Sequence, residues 1–354
     1  MPSSRVRGAS RCRSPSRAGR VLAAVVAGFL ALPWTDPALA TCTVTQIAEL
    51  PVQRDRGRPV TAGLINGQPV RLLIDTGAEF SFLDLAAAHR LNLTLDSADG
   101  LHVFGVGGVA RVFSTLVNQL QIGQFTDARL RIAVVGGKPR DRRPRQRPDF
   151  FLGEDFFARF DTELDLAHDL IRLSRADDCS DAQRITGSAD FSVAQLVDAQ
   201  LLNPRVDTVV QVNGRSFRAR IDSGAATSFI TASAARRAGP FAPPAIAEPG
   251  SHAVGVGGTP VAVHSAQFAT LSIGDDETIQ NVRLNVADLF GRDTVMKTGS
   301  HIAQPADELP EILLGCDFLR AHRVVVLFAQ RRLLLAYLGG PVFQVRAPGS
   351  GPLR

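Results

Sequence analysis

Short apolar runs, often β-branched and punctuated by Gly, Asn and Asp, dominate the chain after residue 40. This is the pattern of strands and tight turns. Two runs form a pair: Val70-Arg71-Leu72-Leu73-Ile74 and Phe217-Arg218-Ala219-Arg220-Ile221 both read as strands. An Asn-Gly hairpin signal precedes each, Asn66-Gly67 and Asn213-Gly214. Each strand runs into an acidic loop, Asp75-Thr76-Gly77-Ala78 in the first half and Asp222-Ser223-Gly224-Ala225 in the second. The Asp lies nine residues past the Asn both times. Short helices are predicted just after each loop, over 83–91 and 231–238.

The parallel between the halves continues. A glycine-rich turn follows each Asp by about thirty residues, Gly105-Val106-Gly107-Gly108 and Gly255-Val256-Gly257-Gly258. Each half then has an apolar-apolar-Gly segment ahead of a short helix, Phe151-Leu152-Gly153-Glu154-Asp155-Phe156 and Leu313-Leu314-Gly315-Cys316-Asp317-Phe318. Strand signals close both, at Leu170–Leu173 and Val324–Phe328. Solenoid repeats are shorter and more numerous, so the pattern predicts two homologous lobes, 41–179 and 204–340. A linker at 180–203, with room for a short helix, joins them, and 341–354 forms a tail. A lone Asp-Ser/Thr-Gly triplet is an ordinary strand-exit turn. Two in one frame predict a duplicated site with one carboxylate per copy.

These loops, glycine turns and late glycine segments resemble those of the retropepsin-like aspartic proteases, over most of residues 60–175 and 207–337. The resemblance implies a mainly β fold of two β-barrel lobes in one chain, the bilobal arrangement of pepsin. It implies that Asp75 and Asp222 form the catalytic pair, with the Thr76 and Ser223 hydroxyls cross-linking the loops beneath them. Gly77, Gly224, Ala78 and Ala225 then give the backbone close access to the site, and the two glycine turns become flap tips over the substrate. No pepsin-type flap tyrosine is present, since Tyr337 is the only Tyr. The viral motif has an Arg after the late Gly, paired with an acid two residues past Asp-Thr-Gly. Here those positions hold Glu154 and Cys316, and Glu79 and Ala226, so that brace is expected to be absent.

The chemistry suits the residues. Two carboxyls about 3 Å apart share one proton and titrate in two separated steps. One can then take a proton from water while the other hydrogen-bonds a scissile carbonyl. Which Asp is the base stays open at this level. The implied activity is an aspartic endopeptidase needing no metal and no cofactor. Two alternatives remain, a peptide- or envelope-polymer-binding protein on the same fold and an obligate homodimer.

Charge changes meaning once the first forty residues are set apart. Six Arg, an apolar run from Val21 to Leu32 and the site Ala38-Leu39-Ala40 read as a secretory signal, too short to span a membrane comfortably. The chain has 39 Lys+Arg and 34 Asp+Glu; without that segment the count is 33 against 33. The basic balance therefore belongs to the leader, and a nucleic-acid partner loses support. The expected product is a periplasmic monomer acting on polypeptides, with a lipoprotein anchored at Cys42 as the alternative. A Cys42–Cys179 disulfide would tie the ends of the first lobe together, while Cys316 reads as a buried thiol. The basic run 138–149 reads as a surface loop, with selection of acidic substrates as its functional alternative. His102 and His252, each three residues before a glycine turn, read as strand residues, and no cysteine–histidine cluster has metal spacing.

Overall fold

The computed structural model describes residues 42–106, 108–136, 147–177, 179, 186–187, 190–197, 205–239, 245–246, 252–255, 258–290 and 309–343. The leader, Gly107, Val256, Gly257 and most of the basic run lie outside them. Strands β1 (Thr43–Pro51), β2 (Gln53–Asp55), β3 (Arg58–Ile65), β4 (Gln68–Ile74), β5 (Phe82–Asp84), β6 (Asp96–Gly105), β7 (Gly108–Ile122), β8 (Phe125–Gly136), β9 (Phe150–Leu152), β10 (Asp161–Asp165) and β11 (Leu170–Asp177) belong to the first half. After β12 (Ser192–Gln195), the second half has β13 (Asp207–Val212), β14 (Arg215–Ile221), β15 (Phe229–Thr231), β16 (Ala245–Ile246), β17 (His252–Ala253) and β18 (Val261–Ala262). It continues with β19 (His264–Ile273), β20 (Glu277–Ala287), β21 (Ile312–Leu314), β22 (His322–Leu327) and β23 (Arg332–Tyr337).

Each half closes a ring of six strands. In the first, β3-β4-β9-β5-β8-β7 returns to β3 through Gly63 opposite Ile122. In the second, β13-β14-β21-β15-β20-β19 returns to β13 through Val210 opposite Ile273. The protein is thus mainly β, with one six-stranded ring in each half. The Asn-Gly hairpins form as the sequence predicts: Asn66, Gly67, Asn213 and Gly214 all have positive φ, the geometry of a type I′ turn. Asn66 Oδ1 accepts from the Asn118 and Gln119 amides, and Asn213 Oδ1 from those of Ala269 and Thr270, locking each turn to the next strand. The helices Leu85–Arg90 and Ala232–Ala238 follow the acidic loops, capped by the side chains of Asp84 and Thr231.

A third sheet joins the lobes, in the order β1-β11-β10-β22-β23-β12. β10 of the first half pairs with β22 of the second, Asp161 opposite Leu327. The expected linker is therefore not only a connection, because its residues Ser192–Gln195 form the edge strand beside β23. Nor does the tail leave the body at residue 341. Phe343 is buried, and its ring stacks on Phe318 at 5.9 Å. One continuous apolar core runs through both rings and this sheet, and Cys42 and Cys179 are disulfide-bonded beside the β1–β11 ladder.

Candidate active site at the junction of the two lobes

The strand that delivers each Asp runs parallel to the strand that ends at the late Gly. Ile74 lies opposite Leu152, and Ile221 opposite Leu314. The Asp75 amide donates to Leu152 O and the Asp222 amide to Leu314 O, both at 2.9 Å. Farther along each loop, the Glu154 and Cys316 amides donate to the carbonyls of Ala78 and Ala225 at 2.8 and 2.9 Å. These bonds fix where the loops turn.

The loops then meet across the junction. The Thr76 amide donates to Ser223 Oγ at 3.0 Å, and the Ser223 amide to Thr76 Oγ1 at 3.1 Å. Each hydroxyl donates onward into the opposite lobe, Thr76 to Ile221 O and Ser223 to Ile74 O, at 2.8 Å. Above this reciprocal link, the Asp222 carboxylate packs on Gly77 and the Asp75 carboxylate on Gly224. A Cβ at either glycine would overlap the opposing carboxylate, so close approach requires glycine there. The Gly77 amide donates to Asp75 Oδ1 at 3.1 Å and the Ala225 amide to Asp222 Oδ1 at 3.0 Å.

Electrostatics separate the two acids. Burial, then the neighbouring Asp222 charge, pushes the Asp75 carboxyl up to about 7, against the pull of Arg58 and the loop amides. Burial also raises Asp222, opposed first by the Arg220 guanidinium and then by loop amides and Arg58. Arg220 stands two residues ahead of Asp222; the equivalent residue before Asp75 is Leu73.

The viral brace is absent, as expected from Glu154 and Cys316 after the late glycines, and a different network stands near Asp75. Glu154 is fully buried, and its Oε1 accepts from the Val206 amide of the second lobe at 2.6 Å. Burial holds its carboxyl well above the usual range, with Arg220 acting against that. Arg220 makes a forked pair with buried Asp207 at 2.7 and 3.1 Å, and Arg218 reaches the same carboxylate at 2.9 Å. Arg205 Nε lies 3.0 Å from Glu79 Oε1. The link across the lobes joins Glu79 of the first to Arg205 of the second, while Asp207, Arg218 and Arg220 pair within the second lobe.

A matched support also escaped the sequence reading. Ser81 and Ser228, each six residues past its Asp, donate to Asp155 and Asp317 at 2.6 Å. They accept from the late-glycine amides of Gly153 and Gly315 at 2.9 and 2.8 Å. Burial raises both of these carboxyls, with the Ser hydroxyls opposing. The repeated six-residue offset was the available signal.

The two glycine turns differ. In the first, β6 and β7 form a long hairpin in which Gly105 pairs with Gly108. Val106 reaches the apolar cluster of Val263, Ala287, Leu289 and Leu313 in the second lobe and touches Gly255. The second flap is the short β17–β18 ladder, with a Gly258 amide to Gly255 O turn bond of 3.0 Å. Cys316 is buried, donates to Ser223 O at 3.2 Å, and has its thiol pushed up to about 12 by burial, which rules out a thiolate nucleophile. Among the described residues no cluster of metal-ligating side chains occurs, and no helix is long and apolar enough to cross a membrane.

The family model described as aspartyl protease matches this chain twice, over residues 61–156 and 208–318. Pol polyproteins of equine infectious anemia virus, from strain Wyoming and isolate 1369, are 37% identical over 78 residues. That stretch is 22% of this chain, and it spans only 7% of each polyprotein. A crystal structure of a retropepsin-like aspartic protease from Rickettsia conorii aligns at 20% identity and a TM-score of 0.27, covering 38% of this chain and 95% of that one.

Proposed function

Because the chain belongs to the aspartyl protease family, with both halves matched, we propose that it is an endopeptidase whose single catalytic pair is Asp75 and Asp222. The observation that carries this reading is the crossing of the loops, with each carboxylate seated on the other loop's glycine. The Arg220 charge beside Asp222 favours its ionised form, while burial beside that charge keeps the proton on Asp75. Asp222 then removes a proton from the attacking water, and Asp75 gives its proton to the carbonyl oxygen, forming a neutral tetrahedral diol. The diol collapses as the proton on Asp222 passes to the leaving nitrogen and Asp75 takes back a proton from a diol hydroxyl. The pair returns to one shared proton.

An extended polypeptide would lie under the flaps, bound by its backbone as an added strand. Since each lobe brings one carboxylate and the β10–β22 ladder joins them, the active species is read as a monomer. The disulfide supports export to an oxidising compartment, most simply the periplasm after removal of the leader.

The test is hydrolysis of an unfolded protein substrate between about pH 3 and 7, over which the shared-proton form should prevail. Activity should fall as pH rises through about 7, where Asp75 loses its proton. Either Asp75→Asn or Asp222→Asn should lower kcat/KM by roughly a thousandfold or more while the fold persists. Full activity in either variant would overturn the reading.

A further inference from the structure

Arg58 and Arg205 hold the same place in the two halves, each seventeen residues ahead of its Asp. Glu79 and Ala226 form a second matched pair, each four residues past its Asp. On one side the Arg and the acid meet: Arg205 is 3% exposed and its Nε lies 3.0 Å from Glu79 Oε1. On the other side a methyl group replaces the carboxylate. The turn before Arg58 packs there, with Gly57 against Ala226 and its carbonyl accepting from Arg320 of the second lobe. Arg58 therefore stands at the second acidic loop as Arg205 stands at the first.

Arg58 is half-buried. Asp55, opposite it across the β2–β3 ladder, is already held by Arg71 at 3.0 Å. Among the described residues no carboxylate forms an ion pair with Arg58. Its neighbour Gly57 packs on Ala226, four residues past Asp222, which sets Arg58 beside the second acidic loop, and its charge acts on both Asp75 and Asp222. A guanidinium at the edge of a partly desolvated cleft, with no carboxylate partner among the described residues, is a receptor for a planar carboxylate.

We propose that Arg58 is a specificity residue that holds an acidic side chain of the bound polypeptide, on the Ala226 side of the cleft only. On the opposite side Glu79 occupies Arg205, so the cleft reads charge asymmetrically. This inference rests on the reading of the cleft as a polypeptide-binding site.

The experiment uses matched peptides of one cleavable sequence in which Glu or Gln is placed in turn at each position flanking the scissile bond. kcat/KM is measured with the wild-type chain, and binding with Asp75→Asn, at one fixed pH. Glu should exceed Gln by roughly tenfold at a position on one side of the bond only, the size of a charge-assisted hydrogen bond. The ratio should fall to about one in Arg58→Gln, and again in Ala226→Glu, which gives Arg58 the internal partner that Arg205 already has. Removing Arg58 also alters the field at the dyad, but that effect is common to both peptides and cancels in the ratio. A wild-type ratio near one at every position, no binding of any peptide, or a preference that survives both substitutions would overturn the proposal. Charge-dependent binding without cleavage would instead sink the hydrolytic reading and leave this one standing; cleavage without charge preference would do the reverse.

Discussion

Leu73 and Arg220 hold equivalent places in the two lobes, as do Glu79 and Ala226, and Glu154 and Cys316. Around them the scaffolds match closely. β4 and β14 share one burial pattern along their length, and both end at an Asp whose amide bonds the paired strand at 2.9 Å. The Thr76–Ser223 link is reciprocal, and the Ser81–Asp155 and Ser228–Asp317 supports match each other. The duplicated positions that set backbone geometry have stayed alike, whereas those that set the field around the carboxylates have diverged. One polypeptide permits this, because its two halves need not carry the same side chains. The result is a dyad whose two acids sit in unlike fields while their positions remain paired.

The strongest way to break the comparison is at the carboxylates themselves. Loss of either Asp should be equally damaging despite the unlike surroundings, because one proton-sharing pair cannot work by halves. A large difference between Asp75→Asn and Asp222→Asn in kcat/KM would mean that one lobe acts alone.

Arg220→Leu gives the second lobe the residue that the first has at Leu73. It leaves buried Asp207 without its forked partner and Glu154 without the cation opposite it. The expected loss is about 3–5 kcal/mol, as for breaking a buried ion pair from one side. Urea unfolding would measure it, and an unchanged midpoint would show that the Arg220–Asp207 pair contributes nothing.

Ser81→Ala and Ser228→Ala probe the part that stayed symmetric. Each removes the hydroxyl between an Asp and a late-glycine amide, at a cost of about 1–3 kcal/mol. The two losses should agree closely in denaturant titrations. A large inequality would show that this support has diverged as well.

The smallest effect is the slope of stability with pH. Asp75 binds its proton more tightly in the folded chain than in the unfolded one, where its carboxyl is ordinary. Its contribution is therefore fully present below pH 3.8 and is lost as pH rises through about 7. That slope is at most about 1.4 kcal/mol per pH unit for one proton. Thermal melts of the wild type and Asp75→Asn should diverge above pH 5, with the variant relatively more stable. Parallel curves would place the raised carboxyl elsewhere.

Local patterns carried much of this architecture into the sequence. Asn-Gly pairs announced the hairpins, apolar runs announced β4 and β14, and the helices after each loop were visible from residue pattern alone. This network was not legible, because Glu154 meets Val206 and comes under the Arg220 charge only after both rings have closed. A Glu where the viral motif has an Arg does mean loss of that brace; the arginine that meets Glu79 lies in the other half. The six-stranded joining sheet was hidden for a similar reason. β12 is four residues long and finds its partner, β23, well over a hundred residues away. Flap inequality escaped because the glycine turns are nearly identical, while their flanking strands differ in length.

The central claim is that two halves of one chain make a single proton-sharing pair with the proton on Asp75. Carboxyl carbon NMR of protein labelled at Asp, followed across pH, reads this without a substrate. One Asp resonance should titrate near 7; it should vanish in Asp75→Asn and move to lower pH in Asp222→Asn, where the neighbouring charge is gone. A resonance titrating near 7 that persists in Asp75→Asn, or one unmoved by Asp222→Asn, would contradict the account.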